Sequence, residues 1–207
     1  MREILVVKRD ILFKDEEFRG QISFEEKNFI SIILNNYKYQ ERNDELENNP
    51  DIIQIIPYVW ILNRKEKKLF LYKRAPSKGD YKEKRHLNNY SGGVGGHVDK
   101  DTEENSKDPI HDAMMRELRE EVIMQNYPNP DYFGYIYTDL TMFDKVHLGI
   151  VAVAETEEKP NPSDGMSTGD FYSVDEVEKL LLDPRNKFDN WTRLGWSKIK
   201  EDLLSSN

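Results

Sequence analysis

Three glutamates in the run Arg116-Glu117-Leu118-Arg119-Glu120-Glu121 have the spacing of a metal site on one side of a helix. At about 100° per residue, they occupy an arc that adjoins an apolar stripe on the same helix. Carboxylates this close repel one another, so a cation should compensate them. Mg²⁺ takes oxygen ligands and bridges carboxylates to substrate phosphates, which points to metal-assisted phosphate chemistry. The stripe is formed by Ile110, Met114, Leu118 and Val122.

The same run is also typical of a solvated helix face, with its two arginines as neighbouring positive charge. The loop Gly92-Gly93-Val94-Gly95-Gly96-His97-Val98 favours a metal site, because its glycines permit positive φ and a close approach of backbone to ligand. Followed by the acidic segment 99–107 and the helix, this loop resembles the start of the Nudix box. That pattern is a glycine, five residues, a glutamate, seven residues, then Arg-Glu-apolar-x-Glu-Glu-x-Gly-apolar. The matching positions are Arg116, Glu117, Leu118, Glu120 and Glu121.

The resemblance implies an enzyme, a Nudix hydrolase of the pyrophosphatase type. Such an enzyme would cleave the phosphoanhydride of a nucleoside diphosphate linked to another group, by means of activated water. It implies metal binding by Glu117, Glu120, Glu121 and the backbone carbonyl of Gly95, with one of the glutamates activating water. Mg²⁺ is the expected cofactor, and Mn²⁺ is an alternative. Arg116 would orient the loop and the helix by pairing with an acid or carbonyl of the box.

The loop is longer than the family pattern. From Gly96 to Arg116 there are 20 positions where the pattern has 14, so six residues are extra. Counting back from Arg116 puts the box acid, expected to orient the loop, at Asp108; Glu103 or Glu104 would serve if the extra residues follow them. Because a proline follows Asp108, the same residue is also expected as an ordinary helix N-cap. Both roles for Asp108 stay open.

Three further residues are expected to bind substrate: Arg74, Gly96 and His97. Arg74 ends a predicted strand, from which it could pair with a phosphate or simply cap the edge of a sheet. His97 follows the glycine loop, where it could touch substrate or have a structural role. The regions expected to set specificity are residues 75–90 and 97–108.

Two features near the end of the box region depart from the family or extend the likeness to it. Ile123 stands in place of the box glycine, which predicts a longer helix. Downstream, residues 171–177 resemble the aromatic strand and following helix that close many Nudix domains. The additional metal-binding glutamate that often precedes this aromatic residue has no clear counterpart, and the candidates are Asp164, Asp170 and Glu155.

Strands before and after one central helix predict an α/β fold with a mixed central sheet and helices on both faces. The resemblance implies the Nudix α/β/α sandwich over residues 51–207, with residues 1–50 as a small α+β N-terminal extension. Strands are predicted at residues 4–7, 11–13, 52–62, 68–74, 132–140 and 146–154, the third and fourth as a hairpin. Helices are predicted at residues 24–34, 109–124, 174–182 and 191–204.

Composition limits the classes of partner. The net charge of −9 repels polyanions, and no basic patch is convincing, so nucleic acid is not an expected partner. The chain has no cysteine and no apolar stretch of membrane-spanning length, which favours a cytoplasmic protein without a membrane partner. The expected partner is a small diphosphate substrate, and a homodimer is left open.

Two alternative functions remain. A non-catalytic Nudix-like domain could sense a nucleotide or sugar diphosphate, although such domains usually lose the box acids that are all present here. An isopentenyl diphosphate isomerase-like enzyme is suggested by Leu71-Tyr72-Lys73-Arg74 and the Ser91-Gly92-Gly93 region. That isomerase family relies on a catalytic cysteine, and the chain has none.

Overall fold

The structure is a computed structural model that describes residues 2–75 and 89–205. Most of the first region predicted to set specificity, residues 75–90, lies outside the described residues. The chain forms two compact units. Unit 1 comprises Met1–Tyr58, Gly95–Met114 and Tyr132–Ala152, and unit 2 comprises Val59–Val94, Met115–Asp131 and Val153–Asn207.

The described residues form twelve strands and seven α-helices. The strands are β1 (Glu3–Lys8), β2 (Gly20–Ser23), β3 (Lys38–Glu41), β4 (Ile52–Asn63), β5 (Lys68–Arg74), β6 (Tyr90–Ser91), β7 (Gly93–Val94), β8 (Val122–Ile123), β9 (Asp131–Tyr137), β10 (His147–Glu155), β11 (Asn161–Pro162) and β12 (Met166–Ser173). The helices are α1 (Arg9–Leu12), α2 (Phe29–Asn36), α3 (Lys100–Glu103), α4 (Pro109–Glu121), α5 (Met142–Lys145), α6 (Val174–Leu182) and α7 (Asn190–Ser205), with a 3₁₀ turn at Leu46–Asn48.

In unit 1 the strand order is β4-β10-β9-β2. β1 pairs antiparallel with β4, with Val6 opposite Gln54, and also with β3. Most of β1 is apolar and buried, so it is part of the unit 1 core. The buried residues of β1 are Ile4, Leu5, Val6 and Val7.

In unit 2 the strand order is β12-β5-β4, with β6 on β5 and β7 on β4. β4 and β5 form a hairpin in which Leu62 faces Leu69, and Lys67 in its turn has a φ of 53°. β12 pairs antiparallel with β5, with Phe171 opposite Phe70. Helix α6 follows β12 directly and begins with a capping box. The Ser173 side chain accepts from the amide of Glu176, and the Glu176 side chain accepts from the amide of Ser173.

The predicted α/β class with a mixed central sheet and helices is confirmed. The hairpin, the strands β9 and β10, and the helices α6 and α7 lie where they were predicted, within a few residues. The predicted strand at residues 11–13 is wrong, because the chain forms helix α1 there. The predicted helix at residues 24–34 is displaced, since α2 is Phe29–Asn36 and Asn28 caps it by accepting from the Ser31 amide.

All four residues of the predicted apolar stripe are buried, and three of them, Ile110, Met114 and Leu118, lie in helix α4. It ends at Glu121, so the lengthening predicted from Ile123 is wrong. Val122 and Ile123 instead form β8, which pairs with Pro162 and Asn161 of β11. Two β-branched residues at this point favour an extended backbone, and the partner strand supplies the hydrogen bonds that end the helix.

No helix among the described residues is both long and apolar enough to cross a membrane.

Candidate active site

Asp108 fixes the start of α4 in unit 1. Its carboxylate accepts from the amide of His111 at 3.0 Å, as expected of an N-cap. The hydroxyl of Tyr132 donates to both carboxylate oxygens, at 3.1 and 3.0 Å. Burial and the nearby Asp108 charge raise the pKa of Tyr132. The geometry supports the capping role for Asp108, and its role in orienting the loop stays a prediction.

Glu117 is the buried carboxylate of α4, in unit 2. Its side chain is 6% exposed, and its Oε1 accepts from Nη1 of Arg116 at 2.7 Å. Burial raises its pKa to about 7, against the opposing effect of the Arg116 guanidinium, and the charges of Glu121 and Glu120 act in the same direction as burial. Burial therefore disfavours the charged form of this side chain even beside Arg116, and a further cation nearby would favour that form.

Glu120 and Glu121 lie at shallower depths on the same helix. Glu120 is 57% exposed, and its Oε2 accepts from the same Nη1 of Arg116 at 3.1 Å. One guanidinium nitrogen therefore lies within hydrogen-bond distance of two box carboxylates. Glu121 is half-buried, and its backbone carbonyl accepts from the amide of Ser163 at 3.2 Å.

The loop between β11 and β12 lies beside the Glu121 carboxylate. A methyl group added at Gly165 would lie 3.6 Å from Oε2 of Glu121, in ordinary van der Waals contact. Neither Ser163 nor Gly165 was predicted to be near the site, because neither residue belongs to a motif in the sequence. Only the pairing of β8 with β11 places this loop next to the end of α4.

The end of β5 adjoins the same loop. The amide of Ala75 donates to the carbonyl of Gly165 at 2.9 Å, and Met166 faces Arg74 across the strands. The Arg74 guanidinium lies 5.9 Å from the ring centre of Tyr72. Tyr72 is fully buried, which raises its pKa to about 12, and the charges of both Arg74 and Glu121 reach it. Arg74 and Glu121 thus lie around one buried tyrosine.

Gly95, Gly96 and His97 belong to unit 1. A methyl group at Gly95 would lie 1.8 Å from the carbonyl oxygen of Pro57, so only glycine fits there. Gly95 and Gly96 are half-buried. His97 is 6% exposed, and its Nε2 is 2.8 Å from Oε1 of Gln54. This burial favours the structural role for His97.

The remaining acidic candidates have different surroundings. Glu103 is buried, and its Oε2 accepts from the amide of Asp99 at 2.6 Å. Asp170 pairs with Lys159 at 2.8 Å, and Glu155 with Arg64 at 3.2 Å. Asp164 is exposed, and it lies between Ser163, whose amide donates to the Glu121 carbonyl, and Gly165, which is beside the Glu121 carboxylate.

Within residues 2–75 and 89–205, no group of three acidic, histidine or cysteine side chains is already arranged to hold a metal ion. The oxygen donors of the box glutamates nevertheless match what Mg²⁺ or Mn²⁺ binds. Two of them already share one cationic atom, Nη1 of Arg116. The donor chemistry fits a divalent cation.

The α/β fold and the acidic helix with its arginine are the arrangement expected from the Nudix resemblance of the sequence. The chain belongs to the Nudix family, because the family model of the NUDIX domain matches residues 54–192, more than half of its length. It is a Nudix hydrolase of the pyrophosphatase type, a class that acts on nucleoside diphosphates linked to another group. Among curated proteins, no sequence matches the chain.

Solved structures share the fold. Tm1382, a protein assigned to the Nudix hydrolases, is 24% identical, with 96% of this chain and 98% of that chain covered and a TM-score of 0.75. The NUDIX domain of NrtR from Shewanella oneidensis is 11% identical over 74% of this chain and 89% of that one, with a TM-score of 0.50. A bifunctional NMN adenylyltransferase/ADP-ribose pyrophosphatase from Francisella tularensis is 11% identical over 73% and 42%, with a TM-score of 0.50.

Proposed function

We propose that the chain hydrolyses the phosphoanhydride of a nucleoside diphosphate derivative with the help of Mg²⁺ or Mn²⁺. The metal would be held by Glu117, Glu120, Glu121 and the carbonyl of Gly95. The observation that carries the proposal is the sharing of one Arg116 nitrogen by the carboxylates of Glu117 and Glu120. A buried carboxylate beside two others on one helix costs stability unless cations compensate it, and a bound divalent cation would do so.

When bound, a divalent cation would polarise the phosphoryl oxygens and lower the pKa of a coordinated water. The remaining steps would be carried out by side chains of the protein. Glu117 and Glu120 would exchange Arg116 for the metal, which frees the guanidinium to pair with another acid or with a carbonyl. One of the box glutamates would accept a proton from the attacking water. Because Glu117 is buried, bulk water is kept away from one side of its carboxylate.

Arg74 is proposed to hold the diphosphate. A guanidinium pairs with phosphate oxygens in a bidentate manner, so it can orient the group for attack. Support comes from its position at the end of β5, because Ala75 is hydrogen-bonded to Gly165 and Gly165 lies next to the Glu121 carboxylate. Contacts of Gly96 and His97 with substrate remain predictions, and the burial of His97 argues for a supporting role instead.

Asp164 is proposed as the additional acid of the site. It lies in a loop in which the amide of the preceding residue, Ser163, donates to the Glu121 carbonyl, and a methyl group on the following residue, Gly165, would contact the Glu121 carboxylate. The rival candidates Asp170 and Glu155 are engaged with Lys159 and Arg64. An exposed carboxylate on a loop could approach the metal or the attacking water once substrate is bound.

The substrate can be narrowed by chemistry, although not to one compound. The NrtR domain was solved with ADP-ribose, and the Francisella protein with AMP and a manganese ion. ADP-ribose is a nucleoside diphosphate linked to a sugar, which makes it a sensible first substrate for this chain. Nucleotide sugars, dinucleoside polyphosphates, oxidised nucleotides and NADH complete the panel.

The test is hydrolysis of this panel with Mg²⁺, Mn²⁺ or EDTA, using wild type, Glu120→Gln and Glu201→Gln. Glu201 is an exposed glutamate of α7 and provides the matched control. We expect metal-dependent release of nucleotide products, reduced about 100-fold or more by Glu120→Gln and unchanged by Glu201→Gln. Wild-type rates for Glu120→Gln would show that the catalytic residues are misassigned. Nucleotide binding without any hydrolysis would favour a sensing domain.

Cytoplasmic location, the lack of a nucleic-acid partner and the oligomeric state remain predictions from composition.

A further inference from the structure

The glycine loop of unit 2 is held by side chains from three different elements. The carbonyl of Gly93 accepts from the hydroxyl of Tyr72 at 2.9 Å and from that of Ser91 at 3.1 Å. The amide of Gly92 donates to Oγ1 of Thr192 at 2.8 Å. The amide of Gly92 and the carbonyl of Gly93 are therefore both fixed by side-chain hydrogen bonds, and Gly93 lies two residues before Gly95 in the chain.

Thr192 is the distant member of this set, because it lies 100 positions away on α7. It is completely buried. Its hydroxyl donates to Oδ2 of Asp189 at 2.8 Å, so an oxygen lone pair faces the Gly92 amide. Oδ1 of the same aspartate accepts from the Thr192 amide at 2.6 Å. The hydroxyl thus has one orientation in which it can serve both partners.

Gly92 packs closely against Trp60. A methyl group added at this position would lie 2.3 Å from the indole ring, so a larger residue does not fit there. The segment before α7 is attached to the same strand, because Tyr90 donates to the carbonyl of Lys187 and accepts from the amide of Asp189. The rings of Tyr90 and Phe188 stack at 5.0 Å.

We infer that Thr192 is a positioning residue for the reaction: it sets the glycine loop in the geometry that metal and diphosphate binding require. The inference rests on the proposed function of the loop that ends in Gly95. Each hydrogen bond removes a rotation of the loop before substrate arrives, and misplacement of a binding group by about 1 Å can cost about 100-fold in rate. Helix α7 would then contribute to catalysis without touching substrate.

The experiment compares Thr192→Val, which removes the hydroxyl at nearly constant shape, with Thr192→Ser, which keeps it. Thr138→Val makes the same exchange at a buried threonine of unit 1 and serves as the control. Three quantities are measured below the melting temperature. The first is kcat. The second is the Mg²⁺ concentration that gives a half-maximal response, measured both by turnover and by NMR titration. The third is the hydrogen-exchange rate of the Gly92 amide.

We expect Thr192→Val to accelerate exchange at Gly92, and either to lower kcat or to raise the half-maximal Mg²⁺ concentration by about tenfold. The substrate KM should change less. Thr192→Ser and Thr138→Val should stay within about twofold of wild type. If Thr192→Val does not fold, Asp189→Asn takes its place. This substitution weakens the hydrogen bond that orients the Thr192 hydroxyl and changes no group that bonds to Gly92. It should then produce a smaller change in the same direction.

Wild-type kcat and Mg²⁺ dependence in Thr192→Val would overturn the inference, as would a loss of activity that only follows the unfolded fraction. Failure of the proposed function looks different. In that case the wild type itself hydrolyses nothing in the panel, and the Mg²⁺ titration by NMR still decides whether Thr192 governs the loop.

Discussion

Glu117 is the residue at which burial and charge conflict most directly. Its side chain is nearly inaccessible, yet the proposed metal site would need it ionised to hold a cation. Arg116 compensates the charge only in part, because burial still leaves the pKa of Glu117 at about 7. A group held in this state is typical of a functional site, where stability is sacrificed for chemistry.

The first prediction concerns Glu117→Gln without metal. The folded pKa of Glu117 is raised above its ordinary value, so its stabilising contribution is full in acid and is lost as pH rises towards 7. Glutamine keeps the shape and never ionises. Glu117→Gln should therefore raise the free energy of unfolding at pH 8 in EDTA, by up to about 3 kcal/mol.

At pH 4.5 the same substitution should change stability little, because wild-type Glu117 is largely protonated there. Urea unfolding at the two pH values measures the difference, with Glu201→Gln as a control that should be neutral at both. A variant less stable than wild type at pH 8 would mean that the Arg116 pair outweighs burial. Mg²⁺ should raise the melting temperature of wild type but not of Glu117→Gln.

The second prediction compares two aspartates of one segment, Asp164 and Asp170. Asp164→Asn should lower kcat by about tenfold or more if this carboxylate serves the metal or the water. Asp170→Asn should leave kcat within about twofold, since it loses only an exposed pair with Lys159. Both variants should unfold at the wild-type temperature. Equal activity of the two variants would remove Asp164 from the site.

At the scale of elements, α4 is defined at both ends by groups outside its box residues. Asp108 caps its start, and the pairing of β8 with β11 ends it at Glu121. The position of the three glutamates along the helix depends on both. Insertion or deletion of one residue between the cap and the glutamates would rotate the carboxylates by about 100° relative to the start of the helix.

The third prediction therefore concerns the cap. Asp108→Ala should lower the free energy of unfolding by about 1–2 kcal/mol, since it leaves the His111 amide without its acceptor. Asp112→Ala, in the same helical turn but 60% exposed, should cost about 0.5 kcal/mol or less. Urea denaturation measures both. If Asp108→Ala lowered turnover by more than its loss of stability explains, that result would support a role for Asp108 in orienting the loop.

The elements that could be predicted from sequence are those with a long periodic pattern. The β4–β5 hairpin, β10, α6, α7 and the buried stripe of α4 are of this kind. Short apolar runs were the failures: Ile11 and Leu12 lie in helix α1, which ends before Phe13, and Val122–Ile123 form a strand. A run of two or three apolar residues fits either state, so its partner decides.

The candidate site shows the same division. The glutamates, Arg116 and Arg74 could be named because a motif or a strand end marks them. Ser163, Gly165 and Thr192 could not, because each comes near a motif residue only through pairing of distant segments. Nothing in the local sequence of these residues distinguishes them from ordinary loop or helix positions.

At the scale of the whole molecule, the question is whether residues 1–50 can be separated from the domain. The sequence predicts a domain boundary at residue 50. In the structure, however, β1 lies before that boundary and pairs with β4, which lies after it, within unit 1. β1 also holds the chain after the glycine pair. The amide of Leu5 donates to the carbonyl of Val98 at 2.9 Å, and Arg2 pairs with Asp99 at 2.6 Å.

The last prediction is that a chain beginning at Asp51 does not fold. β1 buries four aliphatic side chains, each contributing about 1.5–3 kcal/mol, and their sum rivals the total stability of a typical domain of about 5–15 kcal/mol. Leu5→Ala alone should cost about 2–5 kcal/mol, whereas Lys8→Ala, at the exposed end of the strand, should cost about 0.5 kcal/mol or less. Circular dichroism and urea unfolding measure all three. Cooperative unfolding of the shortened chain near the wild-type midpoint would contradict this prediction, because β1 would then be a detachable extension and the segment after Gly96 would be held by other contacts.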